Sequence, residues 1–238
     1  MAGRAAEPHV IWTRPERTGR GPRPAYSRAD IAAAAVRIAD AEGLDAVSMR
    51  RVATELGCGT MSLYNYVPRK EDLFELMMDA AGGEHELFAP TGDWRADMLR
   101  MARQARALVH RHPWMTRLIS GVYGFTPNAL RYLEWSLTCL DPLDLPYGTK
   151  VELIAMVNGV VATSVANELA VAERVRTLPW SADQENAVRS AYVGGRIASG
   201  EYPRLAAALS EGGPEAVDLD EVFERVVGRV LDAYAPRG

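Results

Sequence analysis

The chain has 238 residues, 48% hydrophobic and 24% charged, an ordinary globular composition that excludes a fibrous, collagen-like or extensively disordered protein. No run of about 20 apolar residues stands out as a bilayer span, and Arg4, Glu7 and His9 precede any hydrophobic stretch, so neither a membrane nor a secreted protein is expected and the expected location is the cytoplasm. The formal charge of −4 is unevenly placed: residues 1–70 hold 11 Lys and Arg against 7 Asp and Glu, the remainder 16 against 24, as in a chain of which only the first part faces phosphate.

Residues 1–26 contain Pro8, Pro15, Pro22 and Pro24 and no amphipathic period, and are read as an extended basic arm. Arg14, Arg17, Arg20, Arg23 and Arg28 face only Glu16 as an opposing charge. Two readings stand for this arm: a solvated tail, or arginines laid along a narrow minor groove. From Ser27 the pattern is helical. Ser27 and Asp30 have capping-box spacing, Ile31, Ala34, Ala35 and Ile38 share a face, and the helix stops at Gly43. A second helix starts at Ser48, turns Val52, Ala53 and Leu56 inward and ends at Gly57. A short third helix, Thr60 to about Tyr66, puts Leu63 into the same core before Pro68 breaks it. The fourth, roughly Lys70 to Ala81, carries Leu73, Leu76, Met77 and Ala80, and Gly82-Gly83 is the expected hinge between domains.

Beyond it, helical periods recur at about 93–111, 113–121, 127–140, 148–175, 182–198 and 216–234, broken at prolines such as Pro113, Pro142, Pro146 and Pro179. The expected fold is all-α: an arm over 1–26, a small helix-turn-helix domain over 27–81, and a larger helical bundle over 84–238. Cys58 and Cys139 are far apart and lack His or Cys companions at ligand spacing, so neither a disulfide framework nor a metal site is expected, and no cofactor.

Two short helices joined by Leu56-Gly57-Cys58-Gly59-Thr60 have the geometry that places the second helix in a major groove. That helix presents hydroxyls, an amide and apolar patches with almost no charge. Thr60, Ser62 and the phenol of Tyr64 suit phosphate oxygens, Asn65 suits adenine, and Met61 and ring edges suit thymine methyls. Arg50 can reach guanine and Lys70 can neutralise a phosphate.

Residues 27–81 carry the spacing A-x-x-L-G-x-x-x-x-x-L-Y-x-x-V from Ala53 to Val67, with Ser48-Met49-Arg50-Arg51 before it and Lys70-Glu71-Asp72-Leu73 after it. This stretch resembles the DNA-binding domain of the TetR family of bacterial repressors. The resemblance implies DNA contacts from Ser48, Arg50, Thr60, Met61, Ser62, Tyr64, Asn65, Tyr66 and Lys70. Arg69 departs from it, standing where members often have a small polar residue able to cap the fourth helix. More weakly, Asp93-Trp94-Arg95, residues 108–113 and Val157-Asn158-Gly159 resemble the C-terminal domain of the tetracycline repressors. That implies an inducer site, and dimerisation through helices at about 149–175 and 216–234. The partners so implied are a palindromic double-stranded operator, a second copy of the chain and a small molecule, with no membrane.

Candidate pocket residues are Trp114, Tyr123, Phe125, Trp135 and Met156 as apolar walls, with His110, Asn158 and Asn167 as hydrogen-bonding groups. No second set of metal ligands accompanies His110, so a lipophilic or polycyclic compound is expected rather than magnesium-tetracycline. An enzyme is the competing reading, but there is no Gly-x-Ser-x-Gly elbow, phosphate-cradling glycine loop or His-Glu-x-x-His. A helical interaction protein without DNA binding would need a long heptad seam, which is absent.

Overall fold

The computed structural model describes residues 10–14, 26–119, 125–211 and 218–235, and every regular element in them is helical. The helices start where the sequence provides caps. Ser27 Oγ accepts from Asp30 N at 3.1 Å while the Asp30 carboxylate accepts from Ser27 N at 2.8 Å, opening α1 (Arg28–Glu42). Ser48 Oγ accepts from Arg51 N at 3.1 Å and opens α2 (Met49–Glu55). Gly57, at φ +69°, supplies the left-handed turn that a side chain resists, and α3 (Thr60–Tyr64) follows at once. The fourth helix, α4 (Lys70–Gly82), solves its missing cap differently: the carboxylate of Asp72, fully buried, reaches back to accept from Arg69 N at 3.1 Å and pairs with the Arg69 guanidinium.

α1 packs against α4 and α2, and Ile31, Ala34, Ala35, Ile38, Val52, Leu63, Leu73 and Met77 form the buried centre of this first unit. Each Ile or Leu so buried contributes about 1.5–3 kcal/mol. The N-terminal segment departs from the extended arm that was expected. Ile11–Thr13 is a 3-10 turn with Ile11 wholly buried in the core, and the Tyr26 hydroxyl donates to the Leu56 carbonyl. Two apolar residues among prolines gave no period from which to foresee this. Arg17, Arg20 and Arg23 lie outside the described residues.

The body comprises α5 (Trp94–Arg111), a 3-10 turn at Pro113–Arg117, α6 (Pro127–Cys139), α7 (Tyr147–Thr177), α8 (Ala182–Ala198), α9 (Pro203–Glu211) and α10 (Leu219–Ala233). α9 is not among the expected helices. α5, α7 and α10 pack on one another, with Met98, Met101, Leu108, Leu153, Val157, Val161, Val165, Phe223, Val227 and Leu231 buried. Contrary to the sequence expectation, α7 is long and apolar enough to cross a membrane by length and composition, with a window of mean hydropathy 1.4. Leu153, Ile154, Val157, Val161 and Val165 nevertheless form one inward stripe at helical spacing, and Val151, Met156, Val171 and Val175 remain exposed.

Among the described residues, three polar ties join the first unit to the body. Asp40 Oδ1 accepts from Trp114 Nε1 at 2.7 Å and lies 2.8 Å from His112 Nδ1. Asn128 donates to Asp79 through its backbone N at 2.7 Å and its side-chain amide at 3.0 Å. Arg117 pairs with Asp45 at 2.9 Å. Gly83, in the expected hinge, is a point of close approach: a Cβ there would sit 2.9 Å from the Asn128 amide nitrogen.

Candidate nucleic-acid interface and sensor body

Leu63 is buried and fixes the orientation of α3, so its neighbours face outward. Met61 is 79% exposed and Tyr64 43%, with Ser62 and Asn65 also exposed. Asn65 closes the helix, and its amide nitrogen makes only a long 3.4 Å contact to the Met61 carbonyl, leaving the side-chain oxygen without a partner among the described residues. Thr60 and Tyr66 are half-buried, Tyr66 packing on the core. Ser48 is half-buried with its oxygen accepting from Arg51 N, which leaves the hydroxyl proton to donate outward.

The adjacent arginines of α2 behave oppositely. Arg51 is held by Glu42 at 2.7 Å and Glu55 at 3.2 Å, and these carboxylates raise its pKa. Arg50 is exposed and has no side-chain partner among the described residues. Lys70 is exposed, 5.2 Å from the Phe74 ring centroid, and forms no ion pair among the described residues. Two exposed cations without an ion pair among the described residues thus accompany an uncharged, hydroxyl-bearing surface, an arrangement suited to phosphates at the edges and base edges at the centre. Nothing in the residue types of Arg50-Arg51 alone distinguishes them; Glu55, one turn on in α2, and Glu42, at the end of α1, are the signal.

The predicted sensor residues are dispersed. Trp114 is buried, but its indole is committed to Asp40. Trp135 is buried with Nε1 donating to the Phe88 carbonyl at 2.8 Å and its ring edge-on to Phe88. His110 is exposed and lies 2.6 Å from Glu168, a carboxylate that also takes Arg106 at 3.0 Å and so ties α5 to α7. Met156 is 48% exposed on α7 and accepts from the Tyr234 hydroxyl at 3.0 Å. Asn167 and Phe125 are exposed, the latter 73%. Asn158 is half-buried and accepts from the Tyr132 hydroxyl at 3.3 Å. Tyr123 lies outside the described residues. The helical period separates inward from outward faces but does not tell a body-facing aromatic from one committed to a neighbouring helix.

Grooves open on the described surface. One of about 670 Å³ at the elbow of α7 and α8 is lined by Arg174, Trp180, Gln184 and Val188 and holds none of the predicted residues. Another, about 650 Å³ on the outer side of α6, includes Leu130, Leu133 and Trp135. No group of three or more His, Cys, Asp or Glu suited to a metal ion occurs among the described residues. Burial raises the Cys139 thiol to about 11, so it is an inert core group.

Comparison with known proteins agrees with this geometry. Residues 31–77 match the family described as bacterial regulatory proteins, tetR family, and residues 89–233 match the tetracyclin repressor-like C-terminal domain. The chain is 39% identical over 227 residues to the HTH-type transcriptional repressor DrrR1 of Streptomyces coeruleorubidus, covering 94% of this chain and 82% of that protein. It is 31% identical over 223 residues to an HTH-type transcriptional regulator of Saccharopolyspora erythraea, covering 92% and 90%. Among solved structures, ActR of Streptomyces coelicolor in complex with actinorhodin superposes with a TM-score of 0.70 at 25% identity, covering 88% of this chain and 96% of that one. The chain belongs to the TetR family of bacterial transcriptional regulators.

Proposed function

We propose that this protein is a repressor that binds a palindromic operator as a homodimer and is released when a small lipophilic aromatic molecule enters its helical body. The observation that carries the DNA half is the exposed, uncharged face of α3 together with Arg50 and Lys70, exposed cations without an ion pair among the described residues. In this reading Met61, Tyr64 and Asn65 meet base edges, and Ser48, Thr60, Ser62, Tyr66 and Lys70 position the helix on the phosphates. One such helix reads few base pairs, and a two-fold dimer doubles the readout.

Dimerisation is supported by α7 and α10, which pack together yet leave Val151, Val171, Val175, Leu219 and Val226 facing outward. Covering this surface with a second copy removes apolar area from water, which also accounts for a long apolar helix without a membrane. The unit over 27–81 is then the reader and 84–238 the sensor. The relative ActR is known bound to actinorhodin, which supports a polycyclic aromatic effector here.

The test is nuclease footprinting on the DNA upstream of the protein's own coding region. A two-fold-symmetric footprint that disappears on adding hydrophobic polycyclic compounds is expected. A footprint without two-fold symmetry, or one unaffected by any such compound, contradicts the dimer or the sensor half respectively.

A further inference from the structure

Gln104, on α5, is the most anomalous polar side chain in the body. Its Nε2 and Oε1 are both enclosed and neither has a hydrogen-bond partner among the described residues. An enclosed amide left unpaired is costly, and native proteins keep few of them. Gln104 shares a helical face with the buried Met101 and Leu108, so it is turned into the body and not toward solvent.

The surrounding contacts fix what lies level with it. Asp97 is near enough to Cys139 to act on its charge, Arg100 lies over the Phe88 ring, which packs on Trp135, and His112 reaches Glu84, next to His85. α5 and α6 are therefore antiparallel, and Gln104, one turn past Arg100, is level with Tyr132 and His85, whose ring centroids lie 4.5 Å apart at a tilt of 35°. These neighbours are polar but uncharged. Burial pushes the His85 pKa down to about 4 and that of the Tyr132 phenol up to about 12, so both are neutral at ordinary pH. The orphaned carboxamide thus lies level with a pair of neutral rings.

We propose that Gln104 is the hydrogen-bonding anchor of a ligand site between α5, α6 and the connection around His85, and that this site takes a neutral, planar aromatic compound bearing a hydroxyl beside a carbonyl. A carboxamide offers an N–H donor and an oxygen acceptor side by side, and an adjacent carbonyl and hydroxyl complement both. The rings of Tyr132 and His85 provide an aromatic wall and, being neutral, offer neither an anion nor a cation a counter-charge in exchange for its hydration. This inference rests on the sensor reading above and adds the anchor and the ligand class.

The experiment compares the full-length protein with Gln104→Leu and Gln104→Met, using three probes: quinizarin, unsubstituted anthraquinone and anthraquinone carboxylate. The native protein is expected to bind quinizarin about tenfold or more tightly than anthraquinone, and the carboxylate more weakly than either. Both variants are expected to lose that quinizarin preference while melting, without ligand, at a higher temperature than the native protein, because an unsatisfied buried amide has been replaced by an apolar group of similar shape. A variant that melts lower and keeps the preference makes the amide a structural group and overturns the assignment while leaving the sensor reading intact. If the native protein binds none of the three probes, the ligand class is overturned, and the sensor reading is decided separately by the footprint.

Discussion

Asp40, near the C-terminal end of the first helix of the DNA-reading unit, accepts the indole proton of Trp114, in the body, at 2.7 Å. The same oxygen lies 2.8 Å from His112, which is buried and whose other ring nitrogen is 3.1 Å from Glu84. One carboxylate thereby joins the helix carrying the reader's core to the turn that ends α5. Removing it in Asp40→Ala orphans the indole N–H and is expected to cost about 1–3 kcal/mol of unfolding free energy, measured by urea denaturation. Asp45→Ala, which breaks the exposed pair with Arg117, is expected to leave the midpoint unchanged. Equal effects of the two would mean that the Asp40 tie does not hold the junction.

Arg50 and Arg51 separate binding from stability. Arg50→Ala is expected to weaken operator binding by about 1–3 kcal/mol with the fold intact, and Lys70→Ala to lower the salt slope of binding by about one. Arg51→Ala removes ion pairs within the reader and is expected to leave the salt slope as it was. Electrophoretic mobility-shift titrations at several salt concentrations distinguish the three; an Arg50→Ala protein that binds normally would remove that residue from the interface.

The exposed side of α7 and α10 can be tested without DNA or ligand. Val171→Glu and Val226→Glu each place a charge where the proposed partner copy packs, and desolvating it is expected to dissociate the dimer. Light scattering should show the mass falling from twice the chain mass to 26.0 kDa. Variants that remain dimeric would put the interface elsewhere.

His85 makes stability depend on pH in a defined direction. Its pKa is about 4 in the folded protein against 6.5 for an ordinary histidine, through burial. Between those values the unfolded chain binds a proton that the folded chain does not, so this group subtracts stability as pH falls from 6.5, reaching about 3 kcal/mol near the lower end. In His85→Gln that increment is absent. Urea denaturation at pH 7 and pH 4.5 should show the native protein losing more stability than the variant; parallel losses would contradict the assignment.

Much of the reader was legible because its signals are local. Ser27, Ser48 and Gly57 state helix ends within a few residues, and Leu63, seven residues beyond Leu56 and past Gly57 and Gly59, returns to the same core. The start of α4 was less so, since the capping partner of Arg69 is Asp72, reached by a carboxylate rather than by the missing small polar side chain. The sensor residues were largely illegible. An aromatic at an inward position can line a pocket or, like Trp114 and Trp135, be committed to an oxygen 74 or 47 residues away, and periodicity does not contain that distance. Ile11 was invisible for the same reason: its burial depends on tertiary contact, not on any repeat.

The central claim is that α3 reads DNA, and the direct measurement is a salt-titrated affinity for the protein's own upstream DNA in the native form and in Tyr64→Ala and Asn65→Ala. Both side chains are exposed and outside the core, so both variants should fold and melt like the native protein. They are expected to lose specific binding while retaining the weak, salt-sensitive binding that any basic surface gives. Tight, sequence-specific binding that survives both substitutions would contradict the account.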